Sequence, residues 1–190
     1  MSADDRARWD ARYAAGEHPP GPPEPFVQEI LQTLPPGARV LDVAGGLGRH
    51  ALPAARAGAA VTLVDVSPAG LARATAAAAA EGLALTPVAA DLDAPEALPE
   101  GPFDLVVVTW FLLPEAAWAA LPRRLAPGGR LVYVQPPLQN QARHAHPSAR
   151  FCVAPGALSA RAVSAGLTVL RAEEGWDALD HHTARLEARR

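Results

Sequence analysis

The run Val40-Leu41-Asp42-Val43-Ala44-Gly45-Gly46-Leu47-Gly48-Arg49-His50 passes from apolar residues straight into a cluster of small ones. Small residues let a backbone approach a ligand closely, and glycine takes the positive φ that a sharp turn needs. Arg49 and His50 stand at the helix start that follows, where backbone N–H groups favour anionic ligands. Such a loop alone is a weak signal. Two further carboxylates strengthen it. Asp65 ends the next apolar run, Val61-Thr62-Leu63-Val64-Asp65-Val66, where an acid can accept from both hydroxyls of a ribose. Asp91 follows the run from Leu85 to Ala90 and offers an acceptor one strand further out, at the distance of an adenine amine. Each acid also has a plain structural use: Asp42 can cap the turn, and Asp65 can bond the backbone before Ser67-Pro68. Their occurrence at three successive strand ends favours a shared ligand.

Those acids converge only if the runs are neighbouring parallel strands. Arg39–Val43, Val61–Val66, Leu85–Ala90, Phe103–Trp110 and Gly129–Gln135 read as strands, with alanine-rich helices between them. Ser67-Pro68 is an N-cap followed by proline at the first helical position, and Glu81-Gly82 closes that helix. Near-continuous apolar strands alternating with helices indicate a parallel sheet covered on both faces. Leu167–Leu170 and Thr183–Ala188, joined by a short connection, read as a terminal antiparallel hairpin. Upstream, Asp4–Ala15 and Glu24–Leu34 read as two helices, separated by Gly16-Glu17-His18-Pro19-Pro20-Gly21-Pro22-Pro23, a stretch incompatible with regular structure. The expected fold is α/β: a Rossmann-like, doubly wound, mostly parallel sheet of these seven strands. An N-terminal helical cap over residues 1–36 forms one structural unit with the domain over 37–190.

Composition narrows the chemistry. The chain has 190 residues, enough for one domain with its own core. Its basic side chains are all arginine, so strategies that need a site lysine (Schiff bases, Walker-type nucleotide hydrolysis) are excluded. The single Cys152 excludes an intramolecular disulfide and a cysteine-rich zinc site; it reads as a small buried hydrophobe. A formal net charge of −3 gives no field to attract nucleic acid or anionic lipid. The start, Met1-Ser2-Ala3-Asp4-Asp5-Arg6, is polar with no apolar stretch behind it, and no run reaches the length of a membrane span. A cytoplasmic protein, monomeric or homodimeric, with no nucleic-acid or membrane partner is the expectation.

The pattern of a strand carrying Asp42-x-Ala44-x-Gly46-x-Gly48, with Asp65 and Asp91 at the following strand ends, resembles the class I S-adenosylmethionine (SAM) dependent methyltransferases. Their first motif has glycine where this chain has Ala44, so the backbone there must accommodate a Cβ. Phe103-Asp104-Leu105-Val106, then Leu121 to Leu131 with its Pro127-Gly128-Gly129 turn, is similar to the family's fourth strand, helix and entry to strand five. Trp9-Asp10-Ala11-Arg12-Tyr13 and Pro25-Phe26-Val27, with the tail from Pro155 to Leu186, look like the small tellurite-resistance-like branch.

The resemblance implies SAM as cofactor, with S-adenosylhomocysteine as product, and a small-molecule methyl acceptor. It implies that Ala44, Gly45, Gly46 and Gly48 wrap the methionine moiety beside Arg49, and that Asp42 holds the α-amino group directly or through water. Asp65 would bind the ribose, Val66 would flank the adenine, and Asp91 with Leu92 would read its edge. Thr109 and Trp110 would lie beside the sulfonium, which gains cation–π energy over an aromatic face. Arg12 and Tyr13 would reach over the methionine tail from the cap.

Candidates for a direct part in catalysis are Tyr13, Trp110, His144 and His146. The two histidines fall in the long connection after the fifth strand, where such loops cover sites, although a surface place is the plainer reading. His181-His182, before the last strand, reads as a solvated turn. The histidines show no spacing that would pair them on a metal. No residue is an obvious general base, which leans toward a soft nucleophile such as a thiolate, selenium or tellurium. The fourth strand ends in Thr109-Trp110-Phe111-Leu112 and lacks the Asn/Asp-Pro-Pro-aromatic motif of nucleobase-amine and glutamine methylation. Two alternatives stand beside this reading. Gly46-x-Gly48-x-x-Ala51 satisfies a relaxed dinucleotide fingerprint, which would suit an NAD(P)-dependent oxidoreductase. A non-catalytic SAM-binding regulator would share the cofactor ligands.

Overall fold

From residue 39 onward, branched apolar runs alternate with alanine-rich ones, and a computed structural model shows what each becomes. It describes residues 3–16, 21–94, 96–178 and 180–190. The strands are β1 (Arg39–Val43), β2 (Ala60–Asp65), β3 (Leu85–Ala89), β4 (Phe103–Thr109), β5 (Leu125–Gln135), β6 (Thr168–Trp176) and β7 (His182–Arg189). The helices are α1 (Ala3–Ala15), α2 (Pro25–Leu31), α3 (Ala51–Arg56), α4 (Pro68–Ala80), α5 (Glu115–Arg124) and α6 (Ala157–Ser164). The sheet order is β3-β2-β1-β4-β5-β7-β6. β1 to β5 pair in parallel, and β7 runs antiparallel between β5 and β6. The chain winds outward from β1 through β3, then resumes on the other side of β1 with β4. That switch opens a crevice at the carboxyl ends of β1 and β4.

Strand alternation sorts side chains between two cores. Leu105 and Val107 join Phe26, Ile30, Leu63 and Leu71 on the face covered by α2, α3 and α4. Val106 and Val108 join Trp118, Leu121, Tyr133 and Leu158 on the face covered by α5 and α6. Three boundaries depart from the sequence reading. β5 begins at Leu125 and not Gly129, because Leu125 already pairs with Phe103 before a register break at Phe103/Leu105. β6 continues past Leu170 to Trp176 as an edge strand, so its polar Arg171-to-Glu174 half needs no apolar periodicity. α2 stops at Leu31, with Thr33 and Leu34 in a following turn whose N–H groups donate to Ile30 and Leu31.

The N-terminal segment is tied down at one end of α4. The Asp10 carboxylate accepts from the Ser67 hydroxyl and, at 3.0 Å, from the Ala69 N–H. Ser67 in turn caps α4 by accepting from the Gly70 N–H at 3.0 Å. Residues 17–20, which hold His18 and much of the proline-rich connection, lie outside the described residues. No helix among the described residues is long and apolar enough to cross a membrane.

One buried hydroxyl fixes the segment behind the crevice. Tyr133 is 1% exposed; its hydroxyl donates to the Phe111 carbonyl at 2.5 Å and accepts from the Leu113 N–H at 2.9 Å. Tyr133→Phe leaves both backbone groups without that partner, at a cost of about 1–3 kcal/mol. For a chain of this size Tm is expected to fall by roughly 4–8 °C, read by thermal unfolding. An unchanged Tm would show that water replaces the hydroxyl.

Candidate functional site

The turn after β1 combines three left-handed residues, Ala44 (φ +54°), Gly46 (φ +53°) and Gly48 (φ +78°). Ala44 therefore meets the Cβ requirement in a conformation that costs an L-residue about 1 kcal/mol. Gly45 faces inward, where a Cβ would stand 2.4 Å from Leu63 Cδ1 and 2.6 Å from the Asp42 carboxylate. Gly46 faces outward, where a Cβ would stand 2.4 Å from the Tyr13 hydroxyl. Tyr13 lies in a groove between two glycines, since a Cβ on Gly70 would come within 2.8 Å of its ring. Burial, with Asp65 close by, raises the Tyr13 pKa, so its hydroxyl stays protonated. Trp9 stacks on Tyr13 at 5.4 Å, and Arg12 sits over Trp9.

The two acids of the first strands sit at different depths. Asp42 is fully buried beneath the turn, where Oδ2 accepts from the Ala51 N–H at 3.0 Å and starts α3. Its Oδ1 has no hydrogen-bond partner among the described residues. Desolvation pushes the Asp42 pKa up to about 7, opposed by the backbone donor at Ala51. Asp65 binds the turn directly: Oδ2 accepts from the Gly46 N–H and Oδ1 from the Ser67 N–H, both at 2.9 Å. Burial raises its pKa, and the donors of Ser67 and Gly46 pull the other way. Beyond it, the Ala90 N–H donates to the Asp65 carbonyl at 3.0 Å. Val66 and Leu92 are buried, and exposed Asp91 accepts from the Asp93 N–H at 3.0 Å.

Across the crevice stands a network the sequence reading missed, centred on Glu24. This carboxylate is 2% exposed. Its Oε1 accepts from Trp110 Nε1 at 2.9 Å and from the Arg49 guanidinium at 3.2 Å. Arg49 also donates to the Pro22 carbonyl at 2.6 Å. The Glu24 N–H donates to His50 Nε2 at 3.3 Å, while His50 Nδ1 lies 3.5 Å from the Thr109 hydroxyl. Burial, with Arg49 alongside, lowers the His50 pKa to about 3 and keeps the ring neutral. Trp110 itself is left-handed, at φ +56°. Strain of this kind at a bulky residue is held only by its surroundings, here the Glu24 contact and the Trp110 N–H donated to the Val134 carbonyl. The only sequence hint of Glu24 was a lone acid before Pro25.

A second finding corrects the solvated-turn reading of His181-His182. Both are half-buried, and His182 is the first residue of β7. The rings Trp110, His181, His144, Trp176 and His182 form a chain, with successive centroids 5.0, 5.3, 6.2 and 5.2 Å apart. Asn140 fixes this arrangement: its Oδ1 accepts from the His182 N–H at 3.0 Å and its carbonyl from the His144 N–H. His146 is exposed and contributes only its carbonyl, to the Asn140 side chain. Ala44 to Gly48, Asp65, Thr109 and Trp110 thus lie at the carboxyl ends of β1, β2 and β4, with Tyr13 on Gly46 and with His144 reaching Trp110 through His181.

The family model of a methyltransferase domain matches residues 40–129, from β1 into the first half of β5. An uncharacterized protein of Mycobacterium tuberculosis is 52% identical over 96 residues, which are 44% of this chain and 34% of that protein. The chain thus spans about a third of the length of the curated relatives it first matches. Among solved structures, the fold is similar to that of 1,6-didemethyltoxoflavin-N1-methyltransferase of Burkholderia thailandensis, solved with bound 1,6-didemethyltoxoflavin and S-adenosylhomocysteine. The TM-score is 0.73 at 19% identity, covering 99% of this chain and 88% of that one. It is also similar to that of a TehB-like SAM-dependent methyltransferase of Corynebacterium glutamicum, with TM-score 0.65 at 22% identity, covering 98% and 97%. These likenesses establish the α/β methyltransferase fold. The antiparallel β7 between β5 and β6 also departs from the order usual in dinucleotide-binding sheets.

Proposed function

We propose that this protein, whose residues 40–129 match the model of a methyltransferase domain, transfers a methyl group from SAM to a small-molecule acceptor. One observation carries the reading beyond the family match. The Asp65 carboxylate and the Gly46 N–H, from adjoining strand ends, close on each other at 2.9 Å and make turn and acid one unit. Residues suited to each part of the cofactor surround that unit. Gly46 and Gly70 let Tyr13 press directly onto the turn, so that a methionine tail would run alongside its ring. The Asp65 carboxylate accepts from the backbone at Gly46, Ser67 and Val66 and keeps one further lone pair for a ribose hydroxyl. Val66 and Leu92 supply apolar surface to an adenine, and Asp91 an acceptor for its amine. Near the sulfonium, Trp110 offers an aromatic face backed by the Glu24 carboxylate. Asp42, one layer deeper, acts by holding the turn on α3.

The bound cofactor would supply an activated methyl. The protein's part is alignment and exclusion of water, with Tyr13 covering one end of the crevice and Trp110 lining the other. The Burkholderia neighbour, an N1-methyltransferase solved with 1,6-didemethyltoxoflavin bound, supports a small-molecule acceptor. At about a hundred times Kd, S-adenosylhomocysteine is expected to stabilise the protein by about 2.7 kcal/mol, raising Tm by roughly 5–10 °C, with no shift from NAD(P). Asp65→Ala is expected to remove most of that shift while the unliganded protein stays folded. A shift with the nicotinamide cofactor alone would overturn the reading.

A further inference from the structure

We propose that the ring cluster beside Trp110 is the acceptor subsite, that it takes a phenolic or similarly acidic aromatic hydroxyl compound, and that His181 removes its proton. This rests on the methyltransferase reading. It departs from the expectation of a soft nucleophile needing no base, because His181 comes to the cluster from the distant hairpin.

The observations are geometric. Trp110 and His181 meet edge to face, with centroids 5.0 Å apart and planes at 78°. Such a corner presents one ring face and one ring edge to a third ring. Trp176 continues the aromatic surface; it is 37% exposed, and the Arg143 guanidinium lies over its ring at 4.0 Å. A half-exposed chain of five rings suits a flat aromatic ligand better than a small inorganic anion. His181 is anchored through its backbone: its N–H donates to Asp177 Oδ1 at 2.9 Å, and its carbonyl accepts from the Asp177 N–H at 2.8 Å. The ring's Nδ1 is enclosed without a hydrogen-bond partner among the described residues. His144, in contrast, has Nε2 at 2.6 Å from the Asp180 carbonyl. Because Nδ1 is enclosed, Nε2 is the nitrogen that a bound hydroxyl would meet, and an anchored imidazole beside Trp110 has the requirements of a general base.

In the reaction, the acceptor oxygen bonds to the methyl carbon as the methyl–sulfur bond breaks, its electron pair staying on sulfur. The acceptor's hydroxyl proton passes to the His181 imidazole, which later returns it to water. The charged or titratable groups around the ring are Asp177 and Asp180 on its own hairpin and Arg143 and His144 on the loop after β5. Glu24 lies beyond Trp110.

The test uses 4-nitrophenol, whose phenolate is yellow, with the full chain saturated by S-adenosylhomocysteine so that no turnover occurs. In the wild type, the bound probe is expected to show a larger phenolate fraction than the free probe at the same pH. His181→Gln is expected to bind the probe within about threefold but lose that enhancement, whereas exposed His146→Gln keeps it. With a phenolic acceptor and SAM, His181→Gln is expected to lower kcat about a hundredfold or more. Enhancement that survives in His181→Gln, or a wild type that binds S-adenosylhomocysteine but shows no enhancement, would overturn the assignment of His181. Failure of the wild type to bind S-adenosylhomocysteine would instead overturn the methyltransferase reading beneath it.

Discussion

Between about pH 4 and 6.5, Asp42→Asn and His50→Gln are expected to tilt the stability of this protein in opposite directions relative to the wild type. Both groups lie under the glycine turn, buried with too little compensation for charge. The Asp42 carboxyl is raised from 3.8 to about 7, so across that interval the folded state holds a proton that the unfolded chain has released. Its contribution is therefore fully present below pH 3.8 and lost as pH rises toward 7. The His50 imidazole is lowered from 6.5 to about 3, so between those values the unfolded chain binds the extra proton. Its contribution is present above pH 6.5 and lost as pH falls toward 3. Each slope is about 1.4 kcal/mol per pH unit, or about 4 kcal/mol over either interval. In the wild type these two slopes oppose each other where they overlap, and the raised Asp65 carboxyl acts in the same direction as Asp42. Removing the Asp42 carboxyl leaves the His50 slope, so Asp42→Asn weakens as pH falls; His50→Gln strengthens. Urea unfolding at four or five pH values measures this, and parallel curves for the two variants would refute it. The offset between variant and wild type is separate, since the introduced amide brings its own unpaired donor.

What the sequence made legible follows from which forces act locally. The parallel strands were readable because a strand buried on both faces must be continuously apolar, as in Leu105-Val106-Val107-Val108. The glycine turn and Asp65 were readable because a positive φ and a strand-end acid leave a residue-type signature. Glu24 was not, since its burial is set by Trp110 and Arg49, which reach it across 86 and 25 positions of chain. His181 was hidden in the same way: polar residues before a strand look solvated until Asn140 pins the hairpin against the loop after β5. The edge strand β6 escaped because an exposed edge obeys no apolar period. The family resemblance reached the glycine turn for the same reason, whereas the ring cluster beside Trp110 is assembled from long-range contacts.

Ala44 and Gly46, two of the three left-handed positions of the glycine turn, are expected to respond unequally to a methyl group, and the difference isolates Tyr13. Ala44 and Gly46 have nearly the same φ, +54° and +53°, so backbone strain alone does not separate them. Around Gly46 a Cβ meets the Tyr13 hydroxyl at 2.4 Å and Tyr13 Cζ at 3.0 Å. Tyr13 cannot simply swing aside, because its ring is bounded by Gly70 and stacked on Trp9. Gly46→Ala therefore combines left-handed strain with overpacking, roughly 2–4 kcal/mol together. In a chain of this length that lowers Tm by about 5–15 °C. Affinity for S-adenosylhomocysteine is expected to fall at least about tenfold, since 1.4 kcal/mol at the turn is enough. Ala44→Gly relieves strain and gains unfolded-state entropy, two effects of similar size, so its Tm should stay within about 2 °C of wild type. Adding Tyr13→Ala to Gly46→Ala should return part of the lost stability, as a positive coupling in a double-mutant cycle, without restoring affinity. Calorimetry of the four proteins decides the point. Additive losses would mean that α1 does not press Tyr13 onto the turn, and the cap would then have no part in closing the crevice.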